Sequence, residues 1–167
     1  MHPTLKFLHL LGLALFLGSL PAHIILGAIA PGGDIPSQGI LFARTVMKVI
    51  TLVATVPGLV LLALTGLLRW RAARWEAGRR RWLSCHVALG LVAVANGLAV
   101  LTPAVLDLAA QAQTMVDGVF VPAQWDRTKL LEDVAGGINL LVALAGMALA
   151  CFRPALAWRL DRSRPAL

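Results

Sequence analysis

The chain has 167 residues, 59% of them hydrophobic and 14% charged, with a mean hydropathy of +0.80. That composition excludes an ordinary soluble domain and points to an integral membrane protein. The formal charge of +7 comes with no nucleic-acid-binding motif, so nucleic acid is not an expected partner and the basic residues are read as topology signals.

Four segments, about 5–30, 42–68, 82–106 and 130–152, are apolar over enough residues to cross a hydrocarbon core about 30 Å thick at about 1.5 Å per residue. Little chain is left for a soluble part, and the whole is read as one transmembrane domain. The first segment, LKFLHLLGLALFLGSLPAHIILGAIA, carries His9 and His23. With Phe16 between them they are spaced seven apart, a step that drifts only about 20° around a helix, so the three share a face. An ionisable side chain in a span is costly and turns to the bundle interior or a cavity. The two histidines are separated by about 21 Å along the helix axis, so they belong to different sites. The run is longer than the apolar part of a cleaved signal peptide and Pro31 follows Ala28 and Ala30, so it is read as a retained helix.

The turn-rich PGGDIPSQG makes the first two helices antiparallel neighbours. In the second, Arg44, Lys48, Thr51, Thr55, Gly58, Leu62, Thr65 and Arg69 follow steps of three and four and form one stripe. Pro57 interrupts the hydrogen-bond ladder, so a bend is expected near the bilayer centre. The third segment sets His86, Gly90, Ala93 and Gly97 on one face, and Pro103 is expected to bend or end it. Residues 107–127 read as an outer connection, partly an interfacial helix. The fourth segment repeats the rhythm with Glu132, Gly136, Asn139, Ala143, Gly146 and Ala150. The expected fold is an all-α, antiparallel up-down four-helix membrane bundle with these stripes inward.

Lys6, the 69–81 loop and the tail after residue 152 hold eleven Lys and Arg residues, against Arg44, Lys48, Arg127 and Lys129 on the other side. The positive-inside rule then places both termini and the second loop in the cytoplasm, and Trp70, Trp75 and Trp82 are suited to the interface. Thiols on that side stay reduced, so Cys85 and Cys151 are not read as a disulfide.

Two constellations carry chemistry. His9 and His86 each lie about one turn inside the cytoplasmic end of their helices, where two imidazoles are able to hold a haem iron from opposite sides. Small-residue faces suit a porphyrin and the neighbouring arginines suit its propionates. The plain alternative is that each histidine only bonds a neighbouring helix; a further one adds Cys85 and Cys151 to make a soft-metal site. Near the opposite surface, Arg44 and Lys48 face Glu132 and Asp133, with His23 as a hydrogen-bond partner. These groups either fix packing through ion pairs or form a polar pocket for a quinone head group, a metal or a proton. No serine elbow, phosphate-binding glycine loop or HExxH is present.

The opening LKFLHLLGLALFLGSL, with a histidine about five residues into the helix, resembles small bacterial membrane proteins of the copper-resistance protein D and membrane-bound protoporphyrinogen oxidase grouping. Arg44, Pro57-Gly58 and Thr65-Gly66 are similar to a pattern in uncharacterised integral membrane proteins of that kind. The resemblance covers mainly the first two helices and implies a four-helix fold and b-type haem, with His9 as the first-helix ligand. The third helix offers Arg81, Trp82, Cys85 and His86 in place of that oxidase's lysine pattern, so its reaction is not carried over.

The leading expectation is a haem b protein passing electrons within the membrane, with quinone or a neighbouring redox protein as partner. The alternatives are an accessory or assembly subunit of a larger membrane complex, and metal-ion binding or transport. The charge asymmetry makes a first prediction: a fluorescent protein fused after Leu167 is bright in the cytoplasm, whereas alkaline phosphatase fused there is inactive. The reverse pattern refutes the orientation.

Overall fold

A computed structural model describes residues 3–29, 35–72 and 81–152. Among them the chain forms four long helices and no strand. Helix α1 is Pro3–Gly27. Helix α2 is continuous through Ser37–Ile50, a wider π turn at Thr51–Thr55, and Val56–Ala72. Helix α3 is built the same way from Arg81–Asn96, a π turn at Gly97–Leu101, and Thr102–Val116. Helix α4 is Pro122–Phe152. All four are long and apolar enough to cross a membrane, and the set fits a multi-pass membrane protein. Large apolar side chains such as Phe7, Ile25, Phe42, Leu91 and Leu141 lie exposed on all four. A lipid environment suits them, because acyl chains keep this apolar surface out of water.

The two π turns have one cause. Each ends two residues before a proline, Pro57 in α2 and Pro103 in α3. Proline brings no N–H and its ring crowds the carbonyl four residues back, so the preceding turn widens. The Val56 N–H reaches back to Thr51 O and the Thr102 N–H to Gly97 O, both one residue further than in an α-helix. The Thr102 hydroxyl adds a second bond to Gly97 O, at 2.8 Å. The expected bend at Pro57 is thus a local widening, and Pro103 does not end its helix.

The connection expected over 107–127 shrinks to a turn. Helix α3 runs to Val116, where Asp117 and Gly118 close it: Gly118 has φ 79°, its N–H bonds Met115 O, and the Val119 N–H bonds Thr114 O at 2.8 Å. This double closure is the Schellman arrangement, and Pro122 then opens α4 where a missing N–H costs nothing. The Gln111 amide links Asp107 to Thr128 of α4, and Trp125 packs with Ile40, Leu108 and Ala112 in a small core. Of the polar residues that read as a loop, Asp107, Gln113 and Asp117 lie on the exposed face of this helical end, and Gln111 is buried.

Helix α1 lies antiparallel along α2, the second half of α2 meets the first half of α3, and α3 packs along α4. Helices α1 and α4 share no extensive contact, leaving a cleft between them. The α1–α2 pairing is the tightest. A Cβ placed on Gly58 would stand 2.8 Å from Phe16 N and 2.9 Å from Gly12 O, and one on Gly12 would stand 2.9 Å from Leu61 Cβ. The two backbones therefore touch, and small residues are what permit it. Gly58→Leu is expected to push the helices apart at a cost of about 1–3 kcal/mol or more. Unfolding titrations in bicelles check this; unchanged stability would show that the contact does not exist.

Candidate functional site

The glycine contact fixes a register in which one residue number falls by as much as the other rises. Phe16 stands against Gly58, Ser19 meets Thr55, His9 meets Thr65 and His23 meets Thr51. The two histidines of α1 are as far apart as the two threonines of α2, so an antiparallel pair matches both at once. The result is two His–Thr pairs, one toward each end of the bundle.

The pairs differ in what they leave free. At the His9 end, the Thr65 hydroxyl donates to Leu61 O, so the His9 Nδ1–H donates to Thr65 Oγ1 at 2.8 Å. On α3, the His86 Nδ1–H donates to Gly146 O of α4 at 2.9 Å. Neither Nε2 has a hydrogen-bond partner among the described residues. Both imidazoles are half-buried, and His86 and Arg69 lie within electrostatic reach of His9. An imidazole anchored through Nδ1–H to an oxygen with its Nε2 lone pair unused is the arrangement of a metal-ligating histidine. His23 is occupied on both sides: Nδ1 donates to Ser19 O and Nε2 meets Thr51 Oγ1, each at 2.8 Å. It is a poor metal ligand and a good polar wall.

Gly66 and Gly146 flank the two rings. A Cβ on the first would meet His9 Cε1 at 4.0 Å, and one on the second would meet His86 Nδ1 at 3.8 Å. The donor chemistry at this end, two imidazoles each with Nε2 unused, is of a type that would suit a metal centre such as a haem iron. Cys85 and Cys151 are free and exposed, and among the described residues no three His, Cys, Asp or Glu side chains gather as a metal site. The two-His, two-Cys set is not assembled.

At the His23 end, the Arg44 side chain is fully buried. Its Nη1 donates to both oxygens of Glu132, at 3.0 and 2.8 Å, and its guanidinium sits 5.0 Å from the centre of the Trp125 ring. Nε and Nη2 have no partner among the described residues. The expected second pair is different: Lys48 is exposed, and Lys129, one turn before Asp133 on α4, pairs with Asp133 and lies 3.9 Å from Glu132. Helix α3 joins α4 deeper in the bundle, where Asn96 donates to Ala135 O and Asn139 Oδ1.

A cavity of about 400 Å³ occupies the cleft between α1 and α4 at this end. His23, Thr51, Lys129, Glu132 and Asp133 line its polar end; Phe16, Leu20, Leu101 and Leu140 line the rest. Both π turns contribute to its floor, through Thr51, Thr55, Gly97 and Leu101. Ile24, at its edge, is 62% exposed, so the cavity opens on the bundle surface. His9 and His86 do not line it. Sequence reasoning missed the threonine partners, although the equal spacing of the histidine and threonine pairs announces them. No protein-family model, curated protein or solved structure matches the chain.

The buried pair generates a prediction. Glu132→Leu strands the Arg44 cation and costs about 3–5 kcal/mol, whereas the Arg44→Met/Glu132→Leu double variant recovers most of that loss. Bicelle unfolding of the double-mutant cycle measures both; additive losses would show that the two side chains do not interact.

Proposed function

We propose that the chain is an electron-transfer protein of a bacterial cytoplasmic membrane, carrying a b-type haem between His9 and His86 and exchanging electrons with a quinone or a neighbouring redox protein. The observation that carries this reading is the pair of imidazoles, on α1 and α3, each held through Nδ1–H and each with Nε2 unused. Such anchoring fixes the tautomer and the ring orientation that iron ligation requires. The bound haem supplies one-electron chemistry. Thr65 and the Gly146 carbonyl orient the ligands, and Arg69 offsets propionate charge. The resemblance of the first helix to haem-binding membrane proteins and the basic 69–81 loop support the same arrangement, with both termini cytoplasmic.

Protein purified after expression with ample haem is expected to show a Soret band that is lost in His9→Ala and in His86→Ala but kept in His23→Ala and in Cys85→Ser/Cys151→Ser. A colourless wild-type protein overturns the reading. Colourless protein that co-purifies with a larger membrane complex and tolerates both substitutions establishes the accessory-subunit alternative, and stoichiometric zinc or copper by elemental analysis establishes the metal-binding one.

A further inference from the structure

The cavity between α1 and α4 has a chemistry of its own, and we propose that it binds the reduced, hydroxyl-bearing ring of a lipophilic hydroquinone. The proposal deepens the electron-transfer reading by naming the class of partner, and it rests on residues other than those that would hold haem.

The first constraint is charge. Glu132 is balanced by Arg44 and approached by Lys129, and Asp133 is balanced by Lys129. No carboxylate at the polar end lacks a cation, so the cavity favours a neutral head group over an anion or a cation.

The second constraint is hydrogen bonding. Apart from the Lys129 ammonium, held between Asp133 and Glu132, the donors at this end are spent: the one Thr51 hydroxyl proton goes to His23 Nε2 or Met47 O, the Thr55 hydroxyl to Ser19 Oγ, and the His23 Nδ1–H to Ser19 O. Acceptors remain. A carboxylate offers about four lone-pair sites. Asp133 receives only Lys129, at Oδ1, and Glu132 receives Arg44 and the distant Lys129. A ligand that brings two hydroxyl protons finds acceptors for both in these oxygens; one that brings only carbonyl oxygens finds Lys129 alone, already committed to the two carboxylates.

The third constraint is shape. Below the polar end the lining is Phe16, Leu20 and Leu140, with glycines 136 and 137 leaving α4 without side chains at the wall. A slot walled by aliphatic side chains and bare backbone suits a flat ring, and the opening beside Ile24 suits an alkyl tail leaving toward lipid. From Glu132 to Leu140 the slot runs about 12 Å along α4, enough for one substituted ring and the start of its tail.

The test uses the full chain in phosphatidylcholine nanodiscs, titrated calorimetrically with a decyl-substituted benzohydroquinone kept reduced, with the corresponding quinone, and with dioleoylglycerol. Saturable binding of the hydroquinone is expected, about tenfold tighter than that of the quinone, the worth of one hydrogen bond. Gly137→Leu is the decisive variant: Gly137 lies on the cavity-lining stripe of α4 and a Cβ there meets nothing within 4 Å, so a leucine stands at the cavity wall without a clash. It is expected to abolish binding while leaving the helical circular dichroism unchanged. Three results overturn the proposal: no saturable binding of the hydroquinone, equal binding by Gly137→Leu, or tighter binding of the quinone or of dioleoylglycerol. Calorimetry reports on colourless protein as well as pigmented protein. Loss of the haem reading and loss of this one are therefore separate outcomes.

Discussion

The backbones of α1 and α2 touch where Gly12 and Gly58 leave no side chain between them, and that contact decides which residue of one helix meets which of the other. A shift by one residue would rotate each partner by about 100° and separate both histidines from their threonines. In a lipid environment there is little hydrophobic force to select one register over another, so close van der Waals contact and buried hydrogen bonds must do so. Glycine supplies the first, and Thr51, Thr55 and Thr65 supply the second. Because the register is set near mid-helix, it positions both ends of the bundle together.

The ends diverge from there. At one, the histidines of α1 and α3 are each held through Nδ1–H and keep Nε2 unused, the feature on which the proposed haem site rests. At the other, His23 spends both nitrogens and becomes part of a wall, while the ionic chemistry is taken over by Arg44, Glu132, Lys129 and Asp133. Burying Arg44 completely is expensive, and a single carboxylate and the Trp125 ring offset that cost. The pair ties α2 to α4 across the tip, while α1 and α4 stay apart and the cavity remains between them. The two proline-driven π turns shape its floor, so backbone irregularity here has a local purpose of the kind often met at functional sites.

The four helices were readable from apolar run length, and the inward stripe of α2 from the three-and-four spacing: Arg44, Thr51, Thr55, Gly58 and Thr65 are all buried. Lys48 lies on the same stripe by spacing yet is exposed, because four residues past Arg44 is about 40° off its direction and a long charged side chain reaches the surface from there. Its role falls to Lys129, which one turn of α4 places beside Asp133. The helical tip over 105–132 was not readable from hydropathy, which reports the bilayer and not the helix; Leu108, Ala112 and Trp125 are its buried side, and the Gly118 closure marks where it turns. Nor does a sequence show which ring nitrogen a histidine commits. That depends on whether a carbonyl or a hydroxyl faces it, and this distinction separates His9 and His86 from His23.

The claim that two specific histidines share one iron, while the third takes no part, is tested most directly by pulsed electron paramagnetic resonance on the oxidised protein grown with ¹⁵N-histidine. Coupling of a low-spin ferric centre to two histidine nitrogens, reduced to one or none in His9→Ala and in His86→Ala and unaltered in His23→Ala, is the result expected from the Nδ1–H anchoring of the first two rings. Absence of any histidine-coupled iron, or a coupling that disappears with His23, would contradict the account.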